Sequence, residues 1–93
     1  MADDLDAIMG FIMGNKQRER VVQILGSKGK MESDKVAKFT HVPAPSVKKI
    51  LAEMAERDMV REEDGIWGLT ETGAEIEKEM KKNHLQVKNQ EEI

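Results

Sequence analysis

Between Ser33 and Gly73 the hydrophobic spacing changes from helical to strand-like and back, a succession that few small folds accommodate. Ser33 suits the N-cap of a helix over 34–40, and Asp34 suits the positive end of its dipole. Val36 and Phe39, three apart, are its expected core residues. His41-Val42-Pro43 makes a turn, because a proline steers the residue before it away from helical backbone. The next helix, 44–57, starts near Ala44 or Pro45, where the first turn tolerates proline. Val47, Ile50, Leu51 and Met54 fall on one side of it, with Ser46, Lys48, Lys49 and Glu53 elsewhere. Met59-Val60-Arg61 and Ile66-Trp67-Gly68-Leu69 then read as short strands around a turn, Glu62-Glu63-Asp64-Gly65. Asp-Gly between apolar runs is a strong hairpin signal. Thr72 with Glu75 fits a capping box opening a last helix, along which Ile76 and Met80 mark a thin seam. Beyond Lys82 the chain is polar and expected to fray, although Leu85 and Val87 can extend the seam.

Before Ser33 two further helices are expected. In segment 3–13, Leu5, Ile8, Met9 and Ile12 follow the i, i+3, i+4, i+7 pattern, and Phe11 and Met13 widen the apolar surface. Gly14-Asn15 is a plausible break, since both residues tolerate left-handed backbone. The alternative is one helix over 4–26 with weak spots at Gly10 and Gly14. In segment 16–26, Val21, Val22, Ile24 and Leu25 form the buried face, and Lys16, Arg18 and Arg20 occupy the first turns. Gly26-Ser27-Lys28-Gly29 ends it, and Lys30-Met31-Glu32 allows a very short strand.

Ninety-three residues make one small domain. Cysteine is absent, which excludes disulfides and thiolate zinc sites. No apolar run approaches the roughly 20 residues needed to span a bilayer. Met1-Ala2-Asp3-Asp4 puts acids where a signal peptide needs bases, so a cytoplasmic location is expected, with no membrane partner. The net charge of −3 hides an uneven distribution. Residues 1–14 hold three acids and no base, residues 15–61 eleven bases against six acids, and residues 62–93 four bases against nine acids. A basic middle between acidic ends can meet phosphate on one face and repel it elsewhere; a mixed solvated surface is the alternative.

Catalytic chemistry has no foothold, since there is no Gly-rich phosphate loop, no Ser-His-Asp pattern and no metal-ligand spacing. His41 and His84 stand far apart, and neither metal nor cofactor is expected. Trp67, between Ile66 and Leu69, reads as packing rather than a stacking residue. Met54, Met59 and Met80 sit at core spacing, whereas Met9, Met13 and Phe11 suit a partner surface.

The run from Ser46-Val47-Lys48-Lys49-Ile50-Leu51 through Met59-Val60 to Ile66-Trp67-Gly68-Leu69-Thr70-Glu71-Thr72-Gly73 resembles the winged helix-turn-helix regulators of the MarR and ArsR type. The likeness covers residues 16–82 and rests on the order and spacing of motifs that are individually weak. It implies a mostly α fold with a small β-wing. The winged-helix domain would span 15–82, with an extra N-terminal helix in 1–14, a C-terminal helix, and a polar tail over 83–93. It also implies that helix 44–57 enters the major groove of double-stranded DNA, with Pro45, Ser46, Lys48 and Lys49 exposed towards it. Lys35 and Lys38 would lie near the backbone, Ser33 would offer its hydroxyl or N–H to a phosphate, and Arg61 would stand at the base of the wing. Two positions depart from the pattern. Glu62, Glu63 and Asp64 put three acids where a DNA-touching wing carries Arg or Lys, and Asp58 stands where the family often has Gly.

The resulting expectation is a DNA-binding regulator acting as a homodimer. Leu5, Ile8, Met9, Phe11, Ile12, Ile76 and Met80 would form the dimer surface, or else would close the monomer's own core. Repression by blocking polymerase is the expected mode, no activation segment being visible. A winged helix used for protein–protein contact through its acidic wing is the alternative. Operator and effector are not legible.

Overall fold

Asn15 separates the first two helices. In the computed structural model, which describes the backbone over residues 5–92 and side chains over 7–82, Asn15 has extended backbone (φ −143°, ψ 115°). Its Oδ1 accepts from the N–H groups of Gln17 (2.9 Å) and Arg18 (3.1 Å). That cap starts α2 (Lys16–Lys28) afresh after α1 (Leu5–Met13), so the single long helix does not form. Helix α2 runs past Gly26 to Lys28, and Gly29 at φ 89° closes it. Gly26 lies inside the helix with the Glu77 side chain laid against it: a Cβ there would stand 2.6 Å from Glu77 Cγ and Cδ.

Strand β1 (Met31–Glu32) leads directly into α3 (Ser33–Thr40). Glu32 occupies the N-cap position without a side-chain bond, and Ser33 is the first helical residue, one place later than its sequence suggests. Val36 is buried as expected, but Phe39 is not. Thr40 takes the inward position instead, its hydroxyl donating to Val36 O (2.6 Å) and accepting from Val42 N–H (3.3 Å). These bonds satisfy a polar group that would otherwise be costly to bury. His41, at φ 61°, ends α3 in left-handed backbone.

Pro43 precedes α4 (Ala44–Glu56), with Pro45 in its first turn. Val47, Ile50, Leu51 and Met54 are its buried residues, the four expected from their spacing. Strands β2 (Val60–Glu63) and β3 (Ile66–Leu69) pair antiparallel, Val60 opposite Leu69 and Glu63 opposite Ile66. Only Asp64 and Gly65, at φ 53° and 81°, form the turn. Two successive positive φ values suit the right-handed twist of a hairpin, so Glu62 and Glu63 extend β2 rather than joining the loop. Strand β1 pairs with the other edge of β3, Met31 opposite Trp67, giving the order β1-β3-β2.

Helix α5 (Glu71–Glu92) is capped by Thr70, not Thr72. Thr70 Oγ1 accepts from Gly73 N–H (3.2 Å) and donates to Asp58 O (2.5 Å), while its own N–H donates to Met59 O (2.9 Å). One residue thus ties the exit of α4 to the start of α5. Thr72 is already helical, so the expected capping box with Glu75 does not form. The helical backbone continues past Lys82 to Glu92, where fraying was expected. The core gathers Ile12, Val21, Val22, Leu51, Met54, Met59, Ile76 and Met80, all essentially inaccessible. Burying each such side chain contributes about 1.5–3 kcal/mol. Among the described residues no helix is long and apolar enough to cross a membrane.

Candidate nucleic-acid interface

Helix α4 has two chemically distinct sides. Pro45, Lys48, Lys49 and Ala52 are all exposed and recur at i, i+3, i+4 and i+7, which places them on one face. The buried Val47, Ile50, Leu51 and Met54 anchor the opposite side. Ser46 is half-buried between them. The helix is therefore fixed to the core while the N-terminal half of its outer face offers two ammonium groups and no carboxylate; the exposed Glu56 returns to the same face only at the C-terminal end. Lys35 and Lys38, exposed and three apart, share a face of α3, which packs on α4. Ser33 is half-buried in the first turn of α3.

Arg61 belongs to a different neighbourhood. It is exposed on β2 and lines two shallow depressions, one with Lys30, Glu63 and Asp64, the other with Asp58 and Glu71. Carboxylates dominate its surroundings, so its charge is offset locally instead of joining the lysines of α4. Glu62, Glu63 and Asp64 are exposed along the outer part of the wing. A phosphate backbone brought to that edge meets like charge.

Sequence reasoning missed a cluster at the junction of α1, α2 and α4. The Arg18 guanidinium stacks on the Phe11 ring, 3.9 Å from its centroid, and that of Arg57 stacks on the same ring at 4.0 Å. Arg18 Nη1 donates to Phe11 O (3.0 Å) and Nη2 to Glu53 Oε1 (3.1 Å), the latter a partly buried ion pair. One side chain thus ties the end of the first helix to the last turn of α4. The basic run Lys16, Arg18, Arg20 gives no hint of this, because Glu53 is remote in sequence.

The expected dimer surface is altered in the same way. Ile12, Ile76 and Met80 are sealed in the chain's own core and cannot also meet a second copy without opening it. Phe11 is occupied by its two arginines. Ile8 and Met9 are partly buried against the core, Met13 is 40% exposed, and the side chain of Leu5 lies outside the described residues.

No family model matches the sequence, and no curated protein matches it. Solved structures do. The ligand-free crystal structure of NadR superposes with a TM-score of 0.78 at 18% identity, over 95% of this chain and 70% of that one. NMB1585, a MarR family regulator from Neisseria meningitidis, gives 0.71 at 16% identity, over 91% and 67%. The transcriptional regulator PA4135 gives 0.65 at 25% identity, over 96% and 74%. The five helices and three-stranded antiparallel sheet of the described residues, with these superpositions, give the chain a MarR-like winged helix-turn-helix fold.

Proposed function

We propose that the chain is a DNA-binding transcriptional regulator that reads the major groove with α4. The observation carrying this reading is the outward face of Pro45, Lys48, Lys49 and Ala52, mounted on a helix whose other side is locked into the core. The groove admits a helix, and residues near the helix start reach base edges. Lys48 and Lys49 suit guanine acceptors or phosphate oxygens, and Ser46 suits either partner. Lys35, Lys38 and the first turn of α3 at Ser33 suit the phosphate backbone. Arg61 contributes less, given the acids around it. The likeness to NMB1585 and PA4135, both described as regulators, supports the same reading.

One such module holds few base contacts, and a two-fold dimer doubles them. We place the contact on α1 around Ile8, Met9 and the exposed Met13, with repression by occlusion of a promoter as the mode of action.

Fluorescence anisotropy of labelled random duplex at two salt concentrations tests the proposal. Binding should fall steeply with salt, each neutralised phosphate adding about 0.9 to the log–log slope. Lys48→Glu with Lys49→Glu should abolish it. Unchanged affinity in that double variant refutes the assignment of α4. Failure of the natural sequence to bind at low salt favours a second reading, a protein-docking module, for which the exposed Glu62, Glu63 and Asp64 are the specific support.

A further inference from the structure

Phe39 and Met13 are the large apolar side chains left exposed among the described residues, at 47% and 40%. Phe39 does not stand alone. It borders a groove of about 400 Å3 between α2 and the end of α3, where Ile24 adds apolar surface and Arg20, Gln23 and His41 add polar groups. The Lys28 ammonium is 5.4 Å from the centre of the Phe39 ring. The hydroxyls at the groove are spent internally, Ser27 Oγ donating to Gln23 O (2.7 Å) and Thr40 Oγ1 to Val36 O (2.6 Å). No carboxylate lines the groove, although the chain as a whole carries 18 acids against 15 bases.

We propose that this groove docks an acidic peptide segment of a partner protein. One bulky apolar side chain of the segment lies on Phe39 and Ile24, and its carboxylates reach Arg20 and Lys28. An exposed aromatic residue beside a cationic rim is the composition of an anchor with charge complementarity. A DNA duplex would set its phosphates on the rim but, its bases being stacked inside, gain nothing from Phe39 and Ile24. A peptide uses both. Docking in this groove does not depend on α4 contacting DNA.

Selection of a random-peptide phage library on the full chain tests this. Enriched sequences should be rich in Asp and Glu around one or two bulky apolar residues. A labelled enriched peptide should bind the natural sequence and lose about tenfold or more in affinity with Phe39→Ser or Arg20→Glu. Phe39→Leu should retain most of the binding. Both positions are exposed, and thermal unfolding of each variant verifies that it folds. The proposal is overturned if no sequence is enriched, if the enriched sequences are not acidic, or if Phe39→Ser binds them as well as the natural chain. It is equally overturned if Phe39→Ser and Arg20→Glu weaken duplex DNA and leave peptide binding intact, because the groove then belongs to the nucleic-acid face. Lys48 and Lys49 lie outside the groove, so failure of the DNA reading is scored separately.

Discussion

Replacing Gly73 by alanine is expected to destabilise the chain even though the position is helical and alanine is the better helix former. A Cβ at Gly73 would be driven into the carbonyl oxygen of Met59, with Leu69 Cδ2 at 3.0 Å and Met59 C at 3.2 Å. Neither obstacle yields easily. Met59 O is held by the Thr70 N–H (2.9 Å), Met59 N–H is bound to Met54 O (2.9 Å), and the Met59 side chain is fully buried. Overpacking against such a neighbour costs about 1–3 kcal/mol. Alanine recovers about 0.5–1 kcal/mol through its helix propensity. If α5 moves off to make room, weakening of the Thr70–Met59 bond costs a further ~1 kcal/mol. The net loss is about 1–2 kcal/mol, a fall in melting temperature of roughly 5–15 °C for a domain of this size. Urea unfolding followed by circular dichroism measures it, the midpoint falling with an unchanged slope. Gly10 in α1 is the control: a Cβ there meets nothing within 4 Å, so Gly10→Ala should gain about 0.5–1 kcal/mol. A Gly73→Ala chain as stable as the natural one refutes the reasoning.

Asp58 has φ 62°, a conformation that glycine adopts freely, so Asp58→Gly should raise stability by about 0.5–1 kcal/mol in the same urea experiment. Thr70→Val keeps the shape but removes the hydroxyl bonded to Asp58 O and Gly73 N–H; it should cost about 1–2 kcal/mol, while Thr72→Val should stay within ~0.5 kcal/mol. Converting Glu62, Glu63 and Asp64 to their amides should tighten duplex DNA binding about threefold or more at low salt, with the gain shrinking as salt screens the wing. Anisotropy at the two salt concentrations reads that difference, and a loss of affinity on neutralisation would show that the wing contacts the duplex through those side chains.

What the sequence made legible was whatever depends on local spacing. The four buried residues of α4 repeat at helical intervals, so its inner face and, by subtraction, its exposed lysines were readable in advance. Asp64-Gly65 announced its turn because few other pairs take two positive φ values. The errors share one cause, which is that distant chain segments decide between locally equivalent choices. Thr70 and Thr72 both look like caps, and the Asp58–Met59 backbone selects the first. Phe39 and Thr40 compete for one inward position, and hydrogen bonds to Val36 and Val42 let the polar residue win. Ile12, Ile76 and Met80 show helical spacing whether they meet a second copy or their own core; spacing carries no information on what covers them. Arg18 and Arg61 both count towards the basic middle of the chain, yet one is bound between helices and the other sits among acids.

Strand β1 is only two residues long, yet its pairing of Met31 with Trp67 joins the ends of everything between them. Helices α3 and α4 and the first wing strand therefore form a closed loop, latched at its neck by a minimal ladder. The entropy of closing that loop is lost once, when the ladder forms, and all the contacts inside share the cost. Such a segment opens as one cooperative unit rather than fraying helix by helix. Amide protons of α4 should then exchange with solvent at rates tied to those of Met31 and Trp67, and the shortest element of the fold would govern how long the lysine-bearing helix keeps its shape.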